Sequence, residues 1–134
     1  MAIEPARRGR DRTGDVIIKR AYEAPEARDG TRVLVDRLWP RGLRKDKARI
    51  DIWMKEIAPS TELRRWFHQD PGRWKEFEKK YRTELRHNRD LVDQLRRLAD
   101  GGTVTLLFAA HETDHNNATV LRSVLLSKRS TAKA

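Results

Sequence analysis

Eight residues near the end of the chain, Thr103 to Ala110 (TVTLLFAA), are almost wholly apolar and follow directly on Gly101-Gly102. The run is far short of the ~20 apolar residues that span a bilayer. Its apolar and β-branched content, with no polar alternation, suits a strand covered on both faces. Such a strand commits the chain to a sheet buried between other elements, and the remaining sequence supplies them. Val16-Ile17-Ile18 begins a first strand. Arg32 to Leu38 (RVLVDRL) is a second, with Asp29-Gly30 as the turn before it. Thr103–Ala110 is then the third.

Between the second and third strands the apolar spacing changes to threes and fours. Ser60, after Pro59, caps a short helix whose stripe is Leu63, Trp66 and Phe67. Asp70-Pro71 restarts the chain as N-cap and first helical residue, and Trp74, Phe77, Tyr81 and Leu85 repeat on one buried face. Asp90 opens a helix with Leu91, Leu95 and Leu98 inward, ended by Gly101. A last helix starts near Asn116 and buries Ala118, Leu121, Val124 and Leu125. Residues 43–58 carry two signals: Ile50, Ile52 and Met54 alternate like a strand, whereas Trp53 and Ile57 suit a helical turn. Strands separated by helices predict an α/β fold, a small and mostly parallel sheet flanked by helices in a single layered domain over residues 16–127. Residues 1–15 and 128–134 read as flexible basic tails. Only about eight residues join the first two strands, fewer than a parallel crossover usually takes, which admits an antiparallel first pair.

The 134 residues contain no cysteine, which excludes disulfides, thiolate nucleophiles and cysteine-ligated zinc and fits a reducing compartment. The basic N-terminus lacks the apolar core of a secretory signal, so the expected setting is the cytoplasm, with no membrane partner. Net charge is +10, but it is unevenly spread. Six basic and three acidic residues give +3 over residues 1–20, and four basic residues give +4 over 122–134. The 101 residues between them carry twenty basic and seventeen acidic side chains, only +3. Weak, sequence-blind attraction of nucleic acid is therefore expected of the ends more than of the domain.

Two strand exits concentrate chemistry: Asp36-Arg37-Leu38-Trp39-Pro40-Arg41-Gly42, and His111-Glu112-Thr113-Asp114-His115-Asn116-Asn117 before a helix. Ligands of open α/β sheets bind beyond the carboxyl ends of the strands, and a helix start at Asn116 adds free N–H groups and partial positive charge. Arg37 and Arg41 are candidate clamps for carboxylate or phosphate, with Lys55 and Arg64 as further cations. The expected ligand site is Asp36, Arg37, Trp39, Arg41, Lys55, Arg64 and Asn116, taking a small anionic molecule. His111 is the candidate acid or base if the protein is an enzyme. This reading requires the Arg37 guanidinium to reach residues 111–117. The competing reading pairs Asp36 with Arg37, puts Trp39 in the core and leaves Asn116 as a cap alone. The alternative function is a nucleic-acid-associated or regulatory protein that uses its basic surface.

His111-Glu112-Thr113-Asp114-His115 matches the zinc-protease pattern H-E-x-x-H, which works only where both histidines share a helical face. Here it follows a buried strand without a gap and contains loop and cap formers, so no metal site is assigned. No glycine-rich dinucleotide motif, phosphate-binding loop or nucleophile elbow occurs, and no cofactor is assigned. Ser60 reads as a cap and not a nucleophile, and the stripe of Trp66, Phe67, Trp74 and Phe77 as core before base-stacking platform.

The blocks DGTRVLVDRLWPRGLRKDK, WMKEIAPSTELRRWFHQDPGRWKEFEKKYRTEL and TVTLLFAAHETDHNNATVL resemble the YeaO-like branch of the domain-of-unknown-function 488 family. The resemblance covers about residues 16–126, and DRLWPRG and APS-x-x-L-R are its most specific parts. The matching positions are Asp36, Arg37, Trp39, Pro40, Arg41, Gly42, Lys55, Pro59, Ser60, Arg64, Trp66, Phe67, Tyr81 and Asn116. It implies a compact α/β fold in a bacterial cytosolic protein and carries no reaction with it. Wider relatives often have a Cys at the end of the last strand and a Cys-His-Arg loop after it. Ala109-Ala110 and Asp114-His115-Asn116 stand in that region here, so thiol chemistry of that kind cannot operate in this chain.

Deleting residues 1–14 and 128–134 removes seven basic and two acidic residues, so net charge falls from +10 to +5. Salt-titrated binding to oligonucleotides should then change from weak to almost none, with the salt slope shrinking by roughly 0.9 per lost phosphate contact. Sequence-selective binding that survives the deletion would favour the nucleic-acid alternative.

Overall fold

The computed structural model describes residues 15–127. The tails expected at 1–15 and 128–134 lie outside the described residues, Asp15 excepted. The strands are β1 (Val16–Arg20), β2 (Thr31–Leu34), β3 (Ile52–Trp53) and β4 (Val104–Phe108), in the order β1-β4-β2-β3 with every neighbouring pair parallel. β4 is central. It pairs with β1 from Val16↔Val104 to Arg20↔Phe108 and with β2 from Thr31↔Val104 to Leu34↔Leu107. All five of its residues are buried, as the apolar run predicts.

The helices are α1 (Lys45–Ala48), α2 (Thr61–Gln69), α3 (Trp74–His87), α4 (Arg89–Gly101) and α5 (Asn117–Leu126). The four longer ones pack on one face of the sheet. Leu63, Phe77, Tyr81, Leu85, Leu95, Leu121 and Leu125 form one core with Val33, Val35, Val104, Leu106 and Phe108. The opposite face is covered without a long helix: Ala21, Leu34 and Leu107 pack there with Trp39, Leu43 and Ile50. Ser60 caps α2 as expected, its Oγ accepting the Leu63 N–H at 3.1 Å. Asp70 caps a 3-10 turn, Pro71–Arg73, that leads into α3. Residues 43–58 divide the two sequence signals: Ile52 lies in the short edge strand β3 and Ile57 in a 3-10 turn, Lys55–Ile57, whereas Trp53, read with the turn, belongs to the strand, and Ile50 and Met54, read with the strand, flank it.

Two expectations are corrected. β1 and β2 are not an antiparallel pair: β4 lies between them and all three run the same way. With strands of only five and four residues, the ten residues 21–30 are long enough to return along the sheet without a crossover helix. β2 is also shorter than Arg32–Leu38. Val35 still donates to the Leu107 carbonyl at 3.0 Å, but beyond it the Ala109 N–H goes to the Asp36 carboxylate and the Val35 carbonyl accepts the Asn117 amide, which ends the ladder.

The return segment is anchored by Asp29, which is fully buried. Its carboxylate accepts from Lys19 Nζ on β1 at 3.1 Å, from Arg32 Nη1 on β2 at 2.6 Å and from the Glu26 N–H at 3.0 Å. Its carbonyl accepts the Thr105 hydroxyl of β4 at 2.8 Å. Gly30 follows at φ +64°, where a Cβ would run into the Thr103 carbonyl, so the turn needs glycine. Arg32 continues the network to the Ala48 and Arg49 carbonyls at the end of α1. Burial alone would raise the Asp29 pKa, but the Glu26 N–H and the Lys19 and Arg32 side chains outweigh it and hold it below the ordinary 3.8.

Asp29→Ala should therefore cost about 3–5 kcal/mol in urea unfolding, because it leaves Arg32 buried without its partner. The depressed folded value also fixes the sign of the pH effect. The stability Asp29 contributes is complete above its unfolded value near 3.8 and is lost as pH falls through the folded value. An Asp29→Ala protein with an unchanged unfolding midpoint, or one as acid-sensitive in this range as the unmodified chain, would contradict this account.

Candidate functional site

The fold makes a crevice where neighbouring chains part. After β2 the chain turns to the opposite face, where Trp39 and Leu43 pack; after β4 it turns to the helical face as α5. Adjacent parallel strands whose exits diverge in this way leave the opening in which α/β proteins hold ligands. Here it is a cleft of about 350 Å³ lined from residues 36–41, from the entry and first turns of α2, and from residues 109–110 and 115–117.

Asp36 ties the two exits together. Its Oδ2 accepts the Ala109 N–H at 2.9 Å and its Oδ1 accepts the Asn117 amide at 3.1 Å. Burial pushes its carboxyl above the ordinary 3.8, against the pull of the Ala109 N–H, the Asn117 amide and the nearby Arg64 guanidinium. Arg37 is a second tie. It donates from Nε to the Pro59 carbonyl at 3.3 Å and from Nη2 to the Ala58 carbonyl at 3.2 Å, joining the β2 exit to the start of α2. Asp36 and Arg37 thus serve different partners and do not pair with each other. Arg37 lines the same cleft as His115, Asn116 and Asn117, but its hydrogen bonds among the described residues go to Pro59 and Ala58 and none goes to residues 111–117.

Arg41 sits at the corner of a turn closed by the Leu43 N–H on the Pro40 carbonyl at 3.2 Å, with Gly42 at φ +76° in the position where type II turns need glycine. Arg64 lies one turn into α2. Both side chains line the cleft, and neither donates a hydrogen bond to the described residues. Trp39 lines it too while donating to the Leu43 carbonyl at 2.7 Å and meeting Trp53 edge-on at 5.5 Å, so it is wall and core at once. Asn116 caps α5 in a reciprocal box with Thr119, and its amide donates to the Glu112 carbonyl at 2.8 Å. Its side chain is therefore occupied, and what α5 offers the cleft is its partly positive end.

Two expected residues stand elsewhere. Lys55 is exposed, with Nζ 4.5 Å from the centre of the Trp53 ring, and does not line the cleft. His111 is exposed on the loop and outside the lining, whereas His115 lies within it, its ring stacked on Trp74 at 4.7 Å. Residues 111–116 are loop, so the two histidines of H-E-x-x-H do not share a helical face. The cleft also takes in Tyr22, Leu38, His68 and Asn117, which sequence reasoning did not single out. For Asn117 a signal existed in the doublet at the strand-to-helix junction; for Tyr22, which arrives from the return segment, there was none. Three guanidinium groups, those of Arg37, Arg41 and Arg64, and one carboxylate, that of Asp36, line the cleft.

The family model described as the inactive DUF488-N3 subclade matches residues 15–134. An uncharacterized protein of Mycobacterium tuberculosis is 44 % identical over 110 residues, covering 82 % of this chain and 92 % of that protein. The uncharacterized protein YeaO of Escherichia coli is 43 % identical over 109 residues, covering 81 % of this chain and 95 % of its own length. No solved structure matches. No helix among the described residues is long and apolar enough to cross a membrane.

Because Arg64 pulls the Asp36 pKa down, Arg64→Gln should move it further above 3.8. A carbon-detected NMR titration of the Asp36 carboxyl in both proteins would read this. The sign for stability is opposite to that of Asp29. With the folded value raised, the Asp36 contribution is fully present below the unfolded value and lost as pH rises through the folded one. An unchanged or lower midpoint in Arg64→Gln would remove Arg64 from the neighbourhood of Asp36.

Proposed function

The chain belongs to the domain-of-unknown-function 488 family, and from that premise we propose that it is a cytoplasmic binding protein that holds a small anionic molecule in the cleft beyond β2 and β4 without turning it over. The observation that carries the reading is the pair of guanidinium groups, Arg41 and Arg64, that line a cleft at the strand ends with no hydrogen bond to the described residues. Elsewhere in the site charge is used to hold loops: Arg37 is bound to two carbonyls and Asp36 to an N–H and an amide. Arg41 and Arg64 are what remains for a ligand, and arginine suits the planar, bidentate recognition of carboxylate or phosphate.

Binding without turnover is supported from two sides. The matching family model is described as inactive. Within the cleft, the one carboxylate has both oxygens engaged; His111 lies outside the lining, and of the two histidines inside it His115 is stacked on Trp74. A cytoplasmic setting is supported by the cysteine-free sequence.

Inorganic phosphate and acetate titrated against the full chain should give saturable calorimetric isotherms, and each should raise the thermal midpoint in step with the logarithm of its concentration, reaching about 2.7 kcal/mol of added stability at a hundredfold excess over Kd. Arg64→Gln should weaken that binding by roughly tenfold or more, the effect of losing a charge-assisted hydrogen bond of ~1.5–3 kcal/mol. Arg41→Gln should weaken it less, because Arg41 is the more exposed. Anion binding that ignores both substitutions would place the anion somewhere else and refute this function.

A further inference from the structure

The cleft is wrong in size and in surface for a simple anion. Its volume of about 350 Å³ is some ten times the ~30 Å³ share of one water molecule, and it falls at the small end of the range for organic ligands. Much of its wall is apolar and aromatic. Phe67 and Phe77 stand with ring centres 4.6 Å apart on the side of α2 and α3. The same cleft is lined by Tyr22 and Leu38, two of the four large apolar residues exposed among the described residues, at 43 % and 63 %. A folded domain gains nothing from leaving Leu38 in water beside a cavity, whereas a ligand that covers it does.

The aromatic wall is also held in place before anything binds. The Tyr22 hydroxyl donates to the Arg41 carbonyl at 2.8 Å, which links the ring to the turn that carries a free cation. The Arg20 guanidinium lies 4.9 Å from the ring centre and is itself fixed by the Ala109 and Ala110 carbonyls at 3.0 and 2.9 Å. A wall already ordered loses little entropy on binding.

On the basis of the anion-binding reading, we infer that the ligand is an aromatic ring carrying one anionic group, a carboxylate or a phosphate, with the ring against Tyr22, Leu38 and Phe67 and the anion at Arg64. Aromatic walls favour a ring over an alkyl body through edge and offset contacts that add to the area buried. Leu38 is then a specificity residue: it touches the ring and not the charge.

Calorimetric titration with six probes tests this: phenyl phosphate, phenylacetate, cyclohexylacetate, inorganic phosphate, acetate and uncharged benzyl alcohol. Phenyl phosphate should bind at least about tenfold tighter than inorganic phosphate, and phenylacetate than acetate, the scale on which apolar pockets discriminate. Whichever phenyl compound binds tighter distinguishes phosphate from carboxylate. Phenylacetate should also exceed cyclohexylacetate, and benzyl alcohol should be far weaker than either. Leu38→Ala, at an exposed position that leaves folding intact, should cut the phenyl advantage to under about threefold while leaving inorganic phosphate and acetate unchanged. Arg64→Gln should weaken every anion. Equal binding of phenyl and simple anions, or cyclohexylacetate equal to phenylacetate, would overturn the aromatic assignment and leave the anion site standing. No binding by any of the four simple and phenyl anions would overturn both.

Discussion

A buried carboxylate holds three strands of this sheet to one short segment. Asp29 joins Lys19 of β1, Arg32 of β2 and, through its carbonyl, Thr105 of β4. Without that anchor, ten residues with no helix longer than one 3-10 turn would be held near the sheet mainly at their start, by Ala21 on Phe108 and by the Lys19 bonds to Ala24 and Glu26. With it, one face is closed by polar bonds and a small apolar cluster, and the four longer helices are all free to pack on the other. An ion cluster in this position costs desolvation, and it is tolerable because every oxygen of Asp29 has a donor.

The cleft follows from that division of labour. The chain leaving β2 is drawn toward the face closed by Asp29 and Arg32, and the chain leaving β4 toward the helices. Two exits that separate need something to keep them in register, and Asp36 does this with one carboxylate shared between Ala109 and Asn117. Its position also explains its raised pKa: it is half-buried to serve as a strut, with Arg64 as the nearby compensating charge. Structure and candidate site therefore meet at a single pair of residues, and occupation of Arg64 by an anion changes the field at the strut.

What the sequence disclosed was local. β4 was legible because a strand covered on both faces leaves an unbroken apolar run, and the helices because their stripes recur at threes and fours between recognisable caps at Ser60 and Asn116. The strand order was not legible, since the insertion of β4 between β1 and β2 rests on pairings between residues far apart in the chain, such as Val16 with Val104 and Leu34 with Leu107, and on the Thr105 hydroxyl reaching the Asp29 carbonyl. At the site, the rule of strand ends singled out Asp36, Arg37, Trp39, Arg41 and Asn116, which line the cleft together with Arg64, expected only as a further cation. It misplaced Lys55, because the 3-10 turn that carries it puts the ammonium over Trp53 instead. His111 and His115 differ by four residues of loop, and the choice between them turned on a stacking contact with Trp74 that no spacing reveals. Leu38 was read as the end of a strand, yet it is exposed because side-chain amide and carboxylate groups terminate β2 at Leu34.

The charge of +10 takes on a different meaning once the arginines are followed one by one. Arg20 donates to the Ala109 and Ala110 carbonyls, Arg32 to those of Ala48 and Arg49, Arg37 to those of Ala58 and Pro59. Arg73 donates to the Trp66 carbonyl, Arg96 to that of Val124 and Arg122 to that of Val16. These carbonyls lie at ends and edges of elements or in the loops beside them, where backbone acceptors are left over, although the Val124 carbonyl also accepts from Ser127. Arginine suits the task because its fork offers several donors and stays charged at low solvent exposure. A carbonyl accepts the hydrogen bond without cancelling the charge, so a chain that caps its elements this way accumulates positive charge without any polyanion to meet. Basicity by itself is then weak evidence for nucleic acid, and the informative arginines are those with no such structural task. Arg41 and Arg64 are two of these, and both line the one cleft that opens beyond the strand ends of β2 and β4.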